Sequence, residues 1–128
     1  MRILLDTHIL LWALGDPAKL PGNARLLIED DANDILFSAA SILEIAIKAQ
    51  AGRVDFPVRP DQIAAAALAT GFSELPVSAR HGAGVCSLPL HHRDPFDRLL
   101  IAQAISEPAR LLTVDALLGQ YSELVDTL

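Results

Sequence analysis

Cysteine is almost missing from this 128-residue chain, with Cys86 alone. That excludes an internal disulfide framework and any cysteine-rich metal site. A lone thiol reads as a small buried hydrophobe, and such sparse use suits a reducing cytoplasm. Basic residues are also short, with 10 Lys and Arg against 16 Asp and Glu and a net charge of −6. A general nucleic-acid coat protein would carry the opposite balance. No apolar run approaches the roughly 20 residues of a membrane span. The N-terminal run MRILLDTHILLWALGD is broken by Asp6 and His8 and lacks a small-residue cleavage site. It reads as a strand and a helix rather than a signal peptide. The phosphate-loop, dinucleotide-binding and nucleophile-elbow glycine motifs are absent, and His91-His92 is not the spacing of a zinc protease. Nothing repeats, and no linker is long enough to divide the chain.

What remains is aliphatic. Hydrophobic residues make up 52%, aromatic residues only 5%, and the mean hydropathy is +0.36. This composition suits one domain over residues 1–128, with strands buried on both faces. The apolar content also hints at a covered surface for a second copy or a partner. Strands are expected at Arg2–Asp6, Ile35–Ser38, Glu74–Val77 and Arg110–Val114, with a final edge strand at Leu124–Val125. Helices are expected over Thr7–Leu14, Asn23–Glu29, from Ser41 to about Ala51, over Gln62–Thr70 and Ser78–Cys86, and from Asp94-Pro95 to about Ser106. Arg53–Arg59 reads as irregular. Alternation of strand and helix predicts an α/β fold with a mostly parallel sheet.

Four acids fall where strands or loops run into helices: Asp6, Glu44, Asp97 and Asp115. In an open parallel sheet, residues distant in sequence meet in the crevice beyond the carboxyl ends of the strands. Carboxylates gathered there repel one another, and a hard divalent cation with oxygen ligands relieves the conflict. The pattern points to Mg²⁺ or Mn²⁺ and to phosphate chemistry. Each acid also has a local structural reading. Asp6 and Asp115 suit helix caps. Glu44 suits the third helical position of a capping box opened by Ser41. Asp94 suits an N-cap before Pro95, which places Asp97 at a first-turn position favoured by the helix dipole. Around these acids, Thr7 and Thr113 offer hydroxyls. Lys48, one turn beyond Glu44, suits either an ion pair or a phosphate contact. Arg98 suits either phosphate or helix packing. His8, His91 and His92 have no metal-ligand spacing, and Trp12 and Phe96 read as packing residues.

The segments LLDTHILLWAL, SAASILEIAIKAQAGRVDF, HHRDPFDRLLIAQA and LLTVDALL, in this order across nearly the whole chain, resemble the PIN-domain ribonucleases. The nearest resemblance is to the VapC-type toxins of type II toxin–antitoxin pairs. It implies a three-layer α/β/α sandwich around a parallel sheet. It implies Mg²⁺- or Mn²⁺-dependent hydrolysis of RNA, with Asp6, Glu44, Asp97 and Asp115 as the acids and water as nucleophile. Asp6 and Asp97 would be direct ligands, with Glu44 and Asp115 ligating or positioning water. Asp94 matches a further acid of the same motif, with contact to metal or a capping role left open. The resemblance also implies a homodimer and a cognate VapB-like antitoxin. Residues Pro57 to Leu90 carry no motif of the family. Two other classes share parts of the pattern. A Mg²⁺-dependent phosphotransferase or phosphatase would form an aspartyl phosphate, but a dehalogenase-like enzyme needs a second Asp where His8 stands. A silent binding module would use the acids only as caps.

Overall fold

The structure, a computed structural model, describes residues 1–52, 59–91 and 93–128. Five strands form one parallel sheet: β1 (Arg2–Leu5), β2 (Asp34–Ser38), β3 (Ser73–Leu75), β4 (Arg110–Thr113) and β5 (Val125–Thr127), in the spatial order β3-β2-β1-β4-β5. The register sets Ile3 beside Ile35 on one flank and Leu4 beside Leu111 on the other. The central strand is thus the first in sequence.

Side chains alternate across a strand, and this alternation builds two cores. Ile3 and Leu5 pack with Ile35, Phe37, and residues of α1 (Thr7–Gly15), α2 (Gly22–Glu29), α3 (Ala39–Gln50) and α4 (Pro60–Thr70), among them Ile9, Leu10, Ala24, Ile45 and Ile63. Leu4 and Leu36 point the other way. They meet Leu100, Ile101 and Ala104 of α6 (Pro95–Ser106) and Leu118 of the 3₁₀ turn Ala116–Gln120. Helices on both faces of a parallel sheet make the three-layer α/β/α sandwich expected from the sequence. Each fully buried Leu or Ile contributes on the order of 2 kcal/mol, so interruption of either core would be costly.

The strand and helix sequence matches the expectation, with shifts of a few residues at the ends. Gly71 closes α4 in the left-handed region at φ 100°, a conformation glycine adopts without the Cβ penalty. Helix α5 is shorter than expected. It runs over Ala79–Gly84, and a separate 3₁₀ turn follows at Val85–Ser87. The sequence also offers Asp61 as the cap of this helix, but the α4 N-cap is Arg59, and Asp61 lies in the first turn, paired with Arg59 at 3.1 Å. The rest of the expected irregular connection, residues 53–58, lies outside the described residues. Cys86 corrects an expectation: it is exposed. It lies on the 3₁₀ turn Val85–Ser87, whereas the habit of a lone thiol led to the expectation of a buried one. Among the described residues, no helix is long and apolar enough to cross a membrane.

Candidate active site at the carboxyl edge of the sheet

Chain direction across the sheet reverses at β1. Strands β2 and β3 build out on one side of it, β4 and β5 on the other. A parallel sheet of this order opens a crevice beyond the carboxyl ends of the two strands at the reversal. Asp6 leaves β1 there, and Asp115 leaves β4.

Asp6 caps α1. Its Oδ1 accepts the His8 N–H at 3.4 Å, and its own N–H donates to the Leu112 carbonyl at 3.0 Å. The Thr113 hydroxyl donates to Asp6 Oδ2 at 2.5 Å, and Thr113 Oγ1 accepts the Asp115 N–H at 3.1 Å. A single buried hydroxyl therefore ties the ends of β1 and β4. Asp6 is only 6% exposed. Burial pushes its carboxyl above the ordinary value, and Glu44 adds to the rise. The Thr113 hydroxyl and the positive end of His8 oppose the shift without cancelling it.

Glu44 comes from α3, and here the structure corrects the sequence. The α3 N-cap is Ser38, whose Oγ accepts the Ala40 N–H at 3.0 Å, so the helix begins directly at the end of β2. Ser41 and Glu44 lie inside the helix and turn inward instead of forming a capping box. Thr7 Oγ1 is 2.7 Å from Glu44 Oε1 and 2.9 Å from Ser41 Oγ. A hydroxyl has one proton, and the carboxylate is the stronger acceptor. Sequence reasoning missed Ser41 in this place. The signal was the SAAS segment, which offers two serines three residues apart, with the helix-forming alanines already following the first.

Lys48 Nζ lies 2.6 Å from the other Glu44 oxygen, Oε2. Its ammonium also feels the charges of Asp94 and Asp97. The Glu44 bond is the main reason its proton is held more tightly than usual, and the neighbouring acids add to it against some desolvation. Asp94 caps α6 as expected, accepting the Phe96 and Asp97 N–H groups at 2.9 and 3.1 Å. Pro95 opens the helix, and Asp97 is its half-buried third residue. Asp115, partly buried, caps the following 3₁₀ turn by accepting the Leu117 N–H at 3.0 Å.

Of the two readings for Arg98, the structure supplies packing. The side chain is 8% exposed and donates to the carbonyls of Pro89 at 2.8 Å and Val85 at 3.2 Å, and to the Tyr121 hydroxyl at 3.3 Å. It fastens the segment ahead of α6. His8 is exposed beside Trp12, His91 packs edge-on against Tyr121, and His92 lies outside the described residues.

All the donors at this edge are oxygens, and a buried carboxyl raised partly by a second acid is short of positive charge. These traits fit a hard divalent cation. Asp6, Glu44, Asp97 and Asp115 would be its holders. As placed, however, no three His, Cys, Asp or Glu side chains among the described residues enclose a cation position. Asp6 interacts with Glu44, and Lys48 interacts with Glu44, Asp94 and Asp97.

The PIN domain family model matches residues 3–124. Over 120 residues the chain is 31% identical to Ribonuclease VapC22 of Mycobacterium tuberculosis, covering 93% of this chain and 91% of that protein. Among solved structures it is similar to a chain of VapBC2 from Rickettsia felis, crystallised with a DNA fragment from its promoter. The TM-score is 0.69 with 18% identity, covering 99% of this chain and 98% of that one. That likeness carries the fold.

Proposed function

The chain belongs to the PIN domain family and, within it, to the VapC-type proteins, and from that premise we propose that it is the toxin of a toxin–antitoxin pair, an endoribonuclease that hydrolyses RNA phosphodiester bonds with a divalent cation. One observation carries the reading. Asp6, tied to β4 through Thr113, and Glu44, tied to α1 through Thr7, meet at the reversal point of the sheet. Mg²⁺ or Mn²⁺ bound there would lower the pKa of attacking water and stabilise negative charge on the phosphate in transit.

The chain's own groups do the positioning. Asp6, Glu44, Asp97 and Asp115 would hold the cation, drawing closer around it than they stand without it. Thr113 fixes the Asp6 rotamer, and Thr7 fixes that of Glu44, so both carboxylates face the crevice before substrate arrives. Asp94 caps α6 and thereby sets the first turn that carries Asp97. No side chain serves as nucleophile. The partners we propose are RNA as substrate, a second copy of the chain, and a cognate antitoxin. Leu43 and Ile47, one turn apart on α3, are 55% and 47% exposed. This apolar strip offers a protein partner a seat next to Glu44 and Lys48 in sequence, and an arginine from that partner would pair well with the acids.

The test is incubation of the antitoxin-free protein with total RNA, with and without Mg²⁺ or Mn²⁺, alongside Asp97→Asn. Metal-dependent fragments from the unsubstituted protein alone are expected. Equal cleavage by a folded Asp97→Asn protein would overturn the assignment.

A further inference from the structure

Lys48 is placed unlike an ordinary surface lysine. Its ammonium lies 2.6 Å from Glu44 Oε2, a carboxylate only 5% exposed, while the lysine side chain itself is 40% exposed. A flexible stem reaches in from solvent, and the charged head sits among acids. Those acids come from two helices: Glu44 shares α3 with Lys48, whereas Asp94 and Asp97 stand at the start of α6. A helical i,i+4 pair of exposed residues would involve one partner and little burial. Here the lysine bonds a buried carboxylate on its own helix, and its charge also acts on Asp94 and Asp97 at the start of α6. Thr7 occupies the second Glu44 oxygen, so the lysine is bonded to the oxygen left for a cation.

We propose that Lys48 is the internal counter-cation of the site, pairing with Glu44 and offsetting part of the charge of Asp94 and Asp97 in the metal-free protein, and withdrawing from Glu44 when a divalent cation binds. This rests on the metal-dependent reading above. Its physical content is exchange. A lysine is a compact point charge on a mobile chain, able to leave without moving either helix. Its departure uncovers Glu44 Oε2 and lets the acids of α3 and α6 face the incoming ion together. Binding of the divalent cation is therefore weakened by the competition, and the folded metal-free state is spared the repulsion.

The chain has only two lysines, Lys19 and Lys48, and Lys19 is an exposed partner of Asp16 at 3.8 Å. Acetylation by a water-soluble amine reagent, followed by mass spectrometry of the two sites, reads the exchange directly in the intact protein. Saturating Mg²⁺ should raise the rate at Lys48 several-fold and leave Lys19 unchanged. In parallel, calorimetric titration with Mn²⁺ should show roughly threefold or greater tightening in Lys48→Met, compared with little change in Lys19→Met, the control for net charge. If Mg²⁺ binds and the Lys48 rate stays constant, or if Lys48→Met binds Mn²⁺ more weakly, the counter-cation role is overturned while the metal site stands. If neither ion binds the unsubstituted protein, the metal-dependent reading falls and takes this inference with it.

Discussion

Two buried polar clusters in this molecule use the same kinds of group and leave their carboxylates in opposite states. At the carboxyl edge, Asp6 is buried against Thr113 and Glu44, and burial pushes it above its ordinary value. Along α6, Ser38 donates to Gln103 at 2.6 Å, and His81 Nε2 lies 2.7 Å from Glu107, which also takes a bond from Arg2 at 3.2 Å. The Ser78 N–H donates to His81 Nδ1 at 3.0 Å, so the ring proton is on Nε2 and points at Glu107. The His81 bond, with Arg2 behind it, holds Glu107 below its ordinary value. The α6 cluster matches every donor with an acceptor. The edge cluster gathers acids from α3 and α6 around Lys48, with Asp6 buried beside Glu44. A structural network gains from its ion pairs, whereas the edge keeps a carboxyl that burial disfavours, as the proposed cation site would require, at some expense in stability.

The contrast can be broken most sharply by exchanging what each cluster does. Asp97→Asn should lower RNA cleavage by about a hundredfold or more while leaving the unfolding temperature nearly unchanged, as paired cleavage and thermal melts would read. His81→Ala should do the reverse. It leaves the Glu107 carboxylate and the Ser78 N–H without their partner and costs on the order of 2–3 kcal/mol in denaturant unfolding. Cleavage per folded molecule should stay the same. A cleavage defect in His81→Ala would mean that the two clusters are not separate.

A smaller effect concerns Asp6. A carboxyl raised in the folded state keeps its proton longer than in the unfolded chain. Stability therefore falls as pH rises through the unfolded and then the folded value, and the cost is fully present above both. In metal-free buffer at neutral pH, Asp6→Asn should gain on the order of 1 kcal/mol while losing cleavage. Destabilisation instead would mean that the Thr113 bond outweighs the burial. The smallest effect is at Glu107, whose slope is opposite. Its carboxyl is depressed in the folded state, so its contribution is present above the unfolded value and is lost as pH falls through the folded one. Glu107→Gln should flatten the acid side of the stability profile slightly, visible in urea midpoints measured against pH.

The same contrast explains what could be read from the sequence. The strands were legible because aliphatic runs buried on both faces have few alternatives, and Gly71 and Asp94-Pro95 mark ends by their own conformational limits. Asp6, Glu44, Asp97 and Asp115 were legible as acids at element junctions. Their surroundings were not. Ser41 fitted a capping pattern as well as Ser38 did, and only the direct passage from β2 into α3 decides between them. His81 offered no chemistry on paper, though its position three residues after Ser78 permits a capping box in which the imidazole replaces the usual Glu. Its tie to Glu107 spans 26 residues, beyond any local pattern. Arg98 could be read either way until the Pro89 and Val85 carbonyls came into view. Cys86 misled because a residue type usually found inside lies on a turn that faces outward.

The Thr113 hydroxyl that meets Asp6 lies 107 residues further along the chain. During synthesis β1 and β2 emerge before β4, so one flank of β1 stays open until β4 follows. Asp6 gains its orienting hydroxyl only then. A stalled or truncated product ending before Arg110 would therefore carry most of the acids in a half-built crevice. Orientation of Asp6 is thus a property of the assembled sheet rather than of the β1–α1 segment that carries the residue.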